Sequence, residues 1–304
     1  MPNAKTVIYR VKDFDLTRTL TSGQTFGWTR VSGSRSVFSG EIRGMAVTCR
    51  EPREGFFRCR IFKGSGVGSS AATAPPITTD TDTAVIAHYF DLERDYSALA
   101  SKLIVLDATL APVIASGRGL RLLRQDPWET LISFIISAHN NVPRICKSVL
   151  ALKASFGVPL VPGAKAYAFP SAQVLGEAAE EELIRAGLGF RVRYVKAASA
   201  VVVKGEVDLS SLNDLSTEEA RSALMSIPGV GRKVADCVLL YAYGRTEVFP
   251  VDVWVKRAVE TLYFDGQERP VGYIIQFAAD RWGPYAGFVQ LYLFDYFRRT
   301  GGNR

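Results

Sequence analysis

Apolar and polar residues alternate along VFSGEIRGMAVTCREPREGFFRCRIF (residues 37–62), the period-two signature of half-buried strands. Turn formers interrupt the alternation at Ser39-Gly40 and Glu54-Gly55, so the first ninety or so residues read as strands of an antiparallel sheet. GSGVGSSAATAPPITTDTDT (64–83) is rich in Gly, Ser, Thr and Pro and reads as a flexible surface loop. From TDTAVIAHYFDL onward, apolar residues recur at i, i+3 and i+4 instead, the period of amphipathic helices. Helices are predicted at DPWETLISFIIS, where Pro127 follows Asp126 in the first turn, and at VPRICKSVLALKASFG. Two more are predicted, at TEEARSALMSI with Ser216 or Thr217 as cap and at PYAGFVQLYLFDYFRRT, which Gly301-Gly302 ends. The expected fold class is α+β. An N-terminal antiparallel β-sheet domain (1–99, with the loop at 64–83) precedes a helical body (100–304).

The segment SIPGVGRKVADC (226–237) sharpens this picture. It joins the helix TEEARSALMSI to a second helix, RKVADCVLLYAYG, through the tight turn Pro228-Gly229-Val230-Gly231. Glycines on both sides of Val230 allow positive φ and leave the turn amides uncovered. Those amides sit at a helix N-terminus, where unpaired N–H groups and the macrodipole favour an anion. The helical body therefore contains a helix-hairpin-helix motif at about 217–244, a device for holding DNA phosphate through Gly229, Val230 and Gly231 without reading bases. An ordinary αα-hairpin with a glycine turn fits the same four residues equally well. Lys233 tips the balance. It lies in the first turn of the second helix among Val234, Ala235, Val238 and Leu239, where partial burial disfavours the charged form of an amine. A neutral amine is a nucleophile able to form a Schiff base with a sugar carbon. Nineteen residues on, Asp252 stands in VFPVDVW, a carboxylate in an apolar frame that needs a partner or a task. It also suits the N-cap of VWVKRAVETLYF, and the two roles are compatible.

Composition narrows the class of partner. The 304-residue chain has a formal net charge of +7, which favours an anionic partner. Its four cysteines (Cys49, Cys59, Cys146, Cys237) form no C-x-x-C pair, so neither a disulfide framework nor a zinc site is expected. No apolar run approaches the ~20 residues of a membrane span, and MPNAKTVIYRVKDF has no signal-peptide core. An intracellular protein is expected, in the cytoplasm or nucleoid of a prokaryote or the nucleus of a eukaryote.

PGVGRKVADC followed by VFPVDV resembles the HhH-GPD superfamily of base-excision DNA glycosylases, in particular its 8-oxoguanine DNA glycosylase/lyase branch. The likeness continues through SGQTFGW (22–28), LRLLRQDPWE (120–129), SAHNNVPRI (137–145), AGLGFRVRYV (186–195) and WGPYAGFVQ (282–290), in that order. It implies that Lys233 attacks C1′ of the damaged nucleotide as Schiff-base former and that Asp252 stabilises positive charge on the sugar. The base is pulled from the duplex, and β-elimination follows on its 3′ side. For base recognition it implies Gly23, whose carbonyl would distinguish the N7–H of 8-oxoguanine from the N7 acceptor of guanine. It also implies Phe294 as stacking platform, Gln290 on the Watson–Crick edge (four residues apart on one helix face) and Cys237 facing the base. Arg144 and Arg191 match arginines that contact the orphaned cytosine. Two positions depart from the family pattern. His139 replaces the first asparagine of a motif that continues with Asn140 and Asn141, and Phe190 replaces the usual tyrosine wedge.

The resemblance implies a monomeric enzyme acting on double-stranded DNA containing oxidised guanine, preferably opposite cytosine, with no membrane association and no cofactor. Iron–sulfur branches of the superfamily need four cysteines near the C-terminus, and none follows Cys237. The residues leave open whether hairpin carbonyls hold a metal ion. Two other readings compete: a monofunctional alkylated-base glycosylase, which generally lacks the lysine, and a non-catalytic helix-hairpin-helix DNA-binding protein, which needs no Asp252.

Overall fold

A computed structural model describes residues 4–34, 36–53, 55–62, 81–163 and 165–301. Five strands form one antiparallel sheet in the order β1-β5-β4-β3-β2. They are β1 (Ala4–Arg10), β2 (Thr29–Arg30), β3 (Val37–Ile42), β4 (Met45–Arg53) and β5 (Phe56–Phe62). Among the strands lies a helix that the alternation pattern did not reveal, α1 (Leu16–Thr21), whose N-cap Asp15 accepts from the Arg18 amide. The predicted turn at Ser39-Gly40 is also absent. Both residues lie inside β3, where the Trp28 ring covers Gly40, and the chain reverses instead at Arg43 and Gly44, both with positive φ. In-register pairing of β4 with β5 sets Cys49 beside Cys59, with both thiols free and fully buried. Most of the stretch expected to be a flexible loop lies outside the described residues. Its last two residues are helical, because Thr81 caps α2 (Asp82–Tyr89).

The helical body follows: α3 (Tyr96–Leu106), α4 (Ala111–Ser116), α5 (Pro127–Ile136), α6 (Val142–Phe156), α7 (Ala172–Glu177), α8 (Glu180–Arg185) and α9 (Val192–Val203). It continues with α10 (Thr217–Met225), α11 (Arg232–Tyr241), α12 (Val253–Tyr263), α13 (Val271–Trp282) and α14 (Ala286–Thr300). Local capping accounts for many of these starts. Asp126 caps α5 ahead of Pro127, Ser216 and Glu219 form a capping box on α10, and Asp252 caps α12. Helix α11 is buried from Val234 to Tyr241, so it runs through the core with only its first turn open.

Buried polar contacts at Gln24 and at Lys153 join the N-terminal region to the body. Gln24, just beyond α1, donates to the Arg121 carbonyl (2.8 Å), accepts from the Leu123 amide (2.9 Å), and offers its own carbonyl to Gln125 Nε2 (2.7 Å). On the other side, Lys153 of α6 lies 3.2 Å from Glu41 of β3 and 3.6 Å from Glu129 of α5. One ammonium between two carboxylates leaves an excess negative charge, and burial pushes the Glu129 carboxyl up to about 7. These contacts hold the loop that carries Gly23 against the helical body.

Candidate active site

An open cleft of about 710 Å³ lies between the α1–β2 loop, the end of α5, the start of α6, the α10–α11 hairpin, the start of α12, and α14. Its lining includes Gly23, His139, Asn140, Gly229, Gly231, Lys233, Cys237, Asp252, Gln290 and Phe294. Separate segments of the chain thus bring most of the residues singled out in the sequence to one concavity.

The nucleophile candidate is framed by aromatic and hydroxyl groups. Lys233 is half-buried in the first turn of α11, with Nζ 3.4 Å from Ser137 Oγ and 4.9 Å from the Phe134 ring centroid. One turn later Cys237 is buried. Loss of solvation pushes its thiol up to about 12, with Lys233 opposing and Asp252 reinforcing the shift. The group therefore remains a neutral S–H and does not compete as a nucleophile. Asp252 Oδ1 accepts from the Val255 amide at 2.8 Å, which fixes the carboxylate at the helix start. Burial raises its pKa, while the cap bond and the Lys233 charge hold the shift back.

Gly23 and Phe294 meet across the cleft. Gly23 has φ +92°, and a Cβ there would lie 2.9 Å from Phe294 Cε1 and 3.3 Å from Val142 Cγ2. Both the backbone conformation and the close approach demand glycine. The Arg298 guanidinium lies 5.6 Å from the Phe294 ring centroid and donates to the Thr21 carbonyl at 2.6 Å. Gln290 is 4% exposed and accepts from the Tyr241 hydroxyl at 3.2 Å, and Tyr241 stacks on Phe134 (5.5 Å, 9°). Tyr241, Phe134, Ser137 and Arg298 are lining residues that the sequence reading missed. Tyr241 was within reach: it follows Lys233 and Cys237 at i+8 and i+4 on one helix face.

In the hairpin, only the first glycine takes the expected positive φ. Gly229 has φ +87°, and a Cβ there would strike the Tyr194 ring at 2.5 Å. Gly231 instead has φ −89° as N-cap of α11, makes no side-chain cap bond, and has open space where a side chain would stand. Its lack of a side chain leaves the helix N-terminus uncovered. Val230 is buried in the core and its amide donates to the Ile227 carbonyl at 3.0 Å. The two hairpin helices are clamped by Arg221 Nε to Asp236 Oδ1 at 2.6 Å.

Arg144, Phe190 and Arg191 stand outside the cleft lining. Arg144 is exposed on the first turn of α6, and Phe190 projects with 53% of its surface open. Arg191 is buried beneath it, 4.4 Å from the Phe190 ring centroid. Its guanidinium donates to the carbonyls of Ala138, His139 and Leu188. That ties the exposed His139, with φ +50°, to the base of the aromatic projection. Burial, then the Arg144 charge, lowers the Arg191 pKa. Among the described residues, no three His, Cys, Asp or Glu side chains gather where they would hold a metal ion, and no helix is long and apolar enough to cross a membrane.

Comparison with known proteins identifies the family. Residues 6–131 match the family model of the 8-oxoguanine DNA glycosylase N-terminal domain, and residues 132–284 match that of HhH-GPD superfamily base excision DNA repair proteins. A probable N-glycosylase/DNA lyase of Methanothermobacter thermautotrophicus is 33% identical over 96% of both chains. The N-glycosylase/DNA lyase OGG1 of Arabidopsis thaliana is 31% identical over 93% of this chain and 77% of its own. The 8-oxoguanine glycosylase/lyase of Clostridium acetobutylicum, solved with double-stranded DNA containing cytosine opposite 8-oxoG, superposes with a TM-score of 0.85. It is 32% identical and covers 99% of this chain and 98% of that one. With its sheet, hairpin and cleft in this arrangement, the chain belongs to the 8-oxoguanine DNA glycosylase family of the HhH-GPD superfamily.

Proposed function

We propose that this chain, an 8-oxoguanine DNA N-glycosylase and abasic-site lyase, works through Lys233 and Asp252 on a base flipped from duplex DNA, with a preference for cytosine opposite the lesion. The observation that carries this reading is the convergence of Lys233, Asp252, Cys237, Gln290, Phe294 and Gly23 on one cleft. Lys233 Nζ bonds to C1′ as the glycosidic bond breaks, and the bonding pair leaves with the base. The Asp252 carboxylate stabilises the positive charge that develops on the sugar. Ring opening gives an imine between Lys233 and C1′, and loss of a 2′ proton expels the 3′ phosphate. Phe294 supports one face of the extruded base while Gln290 meets its Watson–Crick edge. The uncovered amide end of α11 at Gly231 holds backbone phosphate.

On the rim, the exposed Phe190 fills the vacated stack, and Arg144 is open to donate to the O2 and N3 acceptors of the orphaned cytosine. Arg191, with most of its donors spent on backbone carbonyls, braces Phe190 and the His139 loop and retains little donor capacity for the base. Lys233 favours this mechanism over a water-using alkylated-base glycosylase.

The test is borohydride trapping on duplexes carrying one 8-oxoguanine opposite C, T, G or A. Wild type should yield a covalent adduct, fastest opposite C by roughly ten- to a hundredfold, the cost of leaving a charged donor unpaired. Lys233→Gln should bind the duplex but form no adduct. Undiminished trapping by that variant removes Lys233 from the mechanism, and equal rates opposite all four bases remove the cytosine preference.

A further inference from the structure

Gln290 is chemically ambiguous on its own, because an amide offers a donor at one end and an acceptor at the other. A free amide turns either end toward a base, accepting a purine with a carbonyl or an amine at ring position 6. In this chain the ambiguity is removed by a neighbour. The Tyr241 hydroxyl donates to Gln290 Oε1 at 3.2 Å. It has no other hydrogen-bond partner among the described residues. Burial raises its pKa and keeps it a protonated donor. With the amide reversed, Nε2 would face the phenol oxygen and the buried O–H would lose its acceptor, at a cost of tenfold or more in population. The Tyr241 ring cannot turn away, because it lies parallel to Phe134 (5.5 Å, 9°) in the core. Nε2 has no acceptor within the described protein and is not sealed from solvent, so it faces the cleft.

We infer that Tyr241 is a specificity-determining positioning residue: its hydroxyl holds the Gln290 amide so that the cleft presents a donor, selecting an oxidised purine with a carbonyl at position 6 over one with an amine there. Guanine-type bases have the acceptor O6, and adenine-type bases have the N6 amine, which would meet Nε2 donor to donor. The inference rests on the reading that Gln290 meets the Watson–Crick edge of the base with Nε2 opposite ring position 6 and Oε1 toward N1, which carries a proton in guanine and is an acceptor in adenine.

The experiment compares single-turnover excision of 8-oxoguanine and 8-oxoadenine from otherwise identical duplexes by wild type, Tyr241→Phe and Gln290→Ala. Trapping on a preformed abasic site, where there is no base to orient, reads the chemistry at Lys233. Tyr241→Phe keeps the stacked ring and removes only the hydroxyl. It should reduce the 8-oxoguanine to 8-oxoadenine rate ratio by about ten- to a hundredfold, well beyond any change in abasic-site trapping. If Gln290→Ala collapses the ratio and Tyr241→Phe leaves it intact, the inference fails while the role of Gln290 stands. If Gln290→Ala leaves the ratio intact, both fall. A parallel loss on both lesions and on the abasic site assigns Tyr241 to packing around Phe134 and overturns the inference.

Discussion

Replacing Gly23 by alanine tests the base pocket with the smallest possible change. At φ +92° an added Cβ costs about 1–2 kcal/mol in backbone strain alone, a fall of roughly 2–6 °C in Tm for a chain of this size. The new carbon would lie 2.9 Å from Phe294 Cε1, whereas carbon atoms pack at about 3.5–4.0 Å, so the ring must shift by roughly 0.6–1 Å. Arg298 lies over the ring and is held by the Thr21 carbonyl at 2.6 Å, which limits how freely the ring can shift. Because Phe294 lines the cleft, a shift of its ring alters the slot proposed for the base. Displacements of about 1 Å can cost around 100-fold in rate, so excision of 8-oxoguanine should fall ten- to a hundredfold in single-turnover assays. Borohydride trapping on a preformed abasic site needs no stacked base and should fall less than about threefold, once the strain is allowed for. Excision within threefold of wild type, in a variant whose Tm has fallen as expected, would refute the reasoning. It would mean that neither Gly23 nor Phe294 bounds the base.

Further outcomes are expected at two aspartates. Asp252→Asn keeps an equally good N-cap, so Tm should move by less than about 2 °C while excision falls more than tenfold; a smaller loss would leave Asp252 only its cap role. Because burial raises the Asp252 pKa and the ionised form is the working one, the wild-type rate should fall on acidification at a higher pH than an exposed aspartate would give, and the asparagine variant should lack that limb. Asp107 accepts from Arg281, Trp282 and Tyr263, and although burial alone would raise its pKa, these donors together hold the carboxyl far below the usual range. Such a depressed pKa contributes stability that is full above the unfolded-state value of about 4 and is lost progressively as pH falls from there through the depressed folded-state value. Asp107→Asn should cost about 3 kcal/mol at pH 7, the low end for a broken buried pair because Arg281 is 40% exposed and can turn to water. The gap in denaturant midpoint should begin to narrow below about pH 4 and close only as pH reaches the depressed folded-state value.

Much of the site was legible because its determinants are local. The caps at Asp126, Ser216 and Asp252 bond amides three residues away, so a short window of sequence contains both partners. Lys233 and Asp252 stood out as charged groups in apolar frames, and the resemblance to the family placed them with Gln290, Phe294 and Gly23. Errors arose where a local signal was overruled from a distance. Ser39-Gly40 looked like a turn, yet Trp28 packs over Gly40 and keeps the strand straight. Helix α1 was hidden because six residues are too few to establish a helical period against the surrounding strands.

What the chain determined by itself is thus the helix starts, the hairpin and the types of chemistry available, because propensity and capping act over a few residues. Which groups face one another was decided by packing. Tyr241 meets Gln290 across 49 positions and Lys153 meets Glu41 across 112. Arg191, which the resemblance assigns to the orphaned cytosine, donates in this structure to the carbonyls of Ala138 and His139. A buried polar group must find its partner wherever the core brings one within about 3 Å, and that position exists only once separately encoded helices have closed on one another.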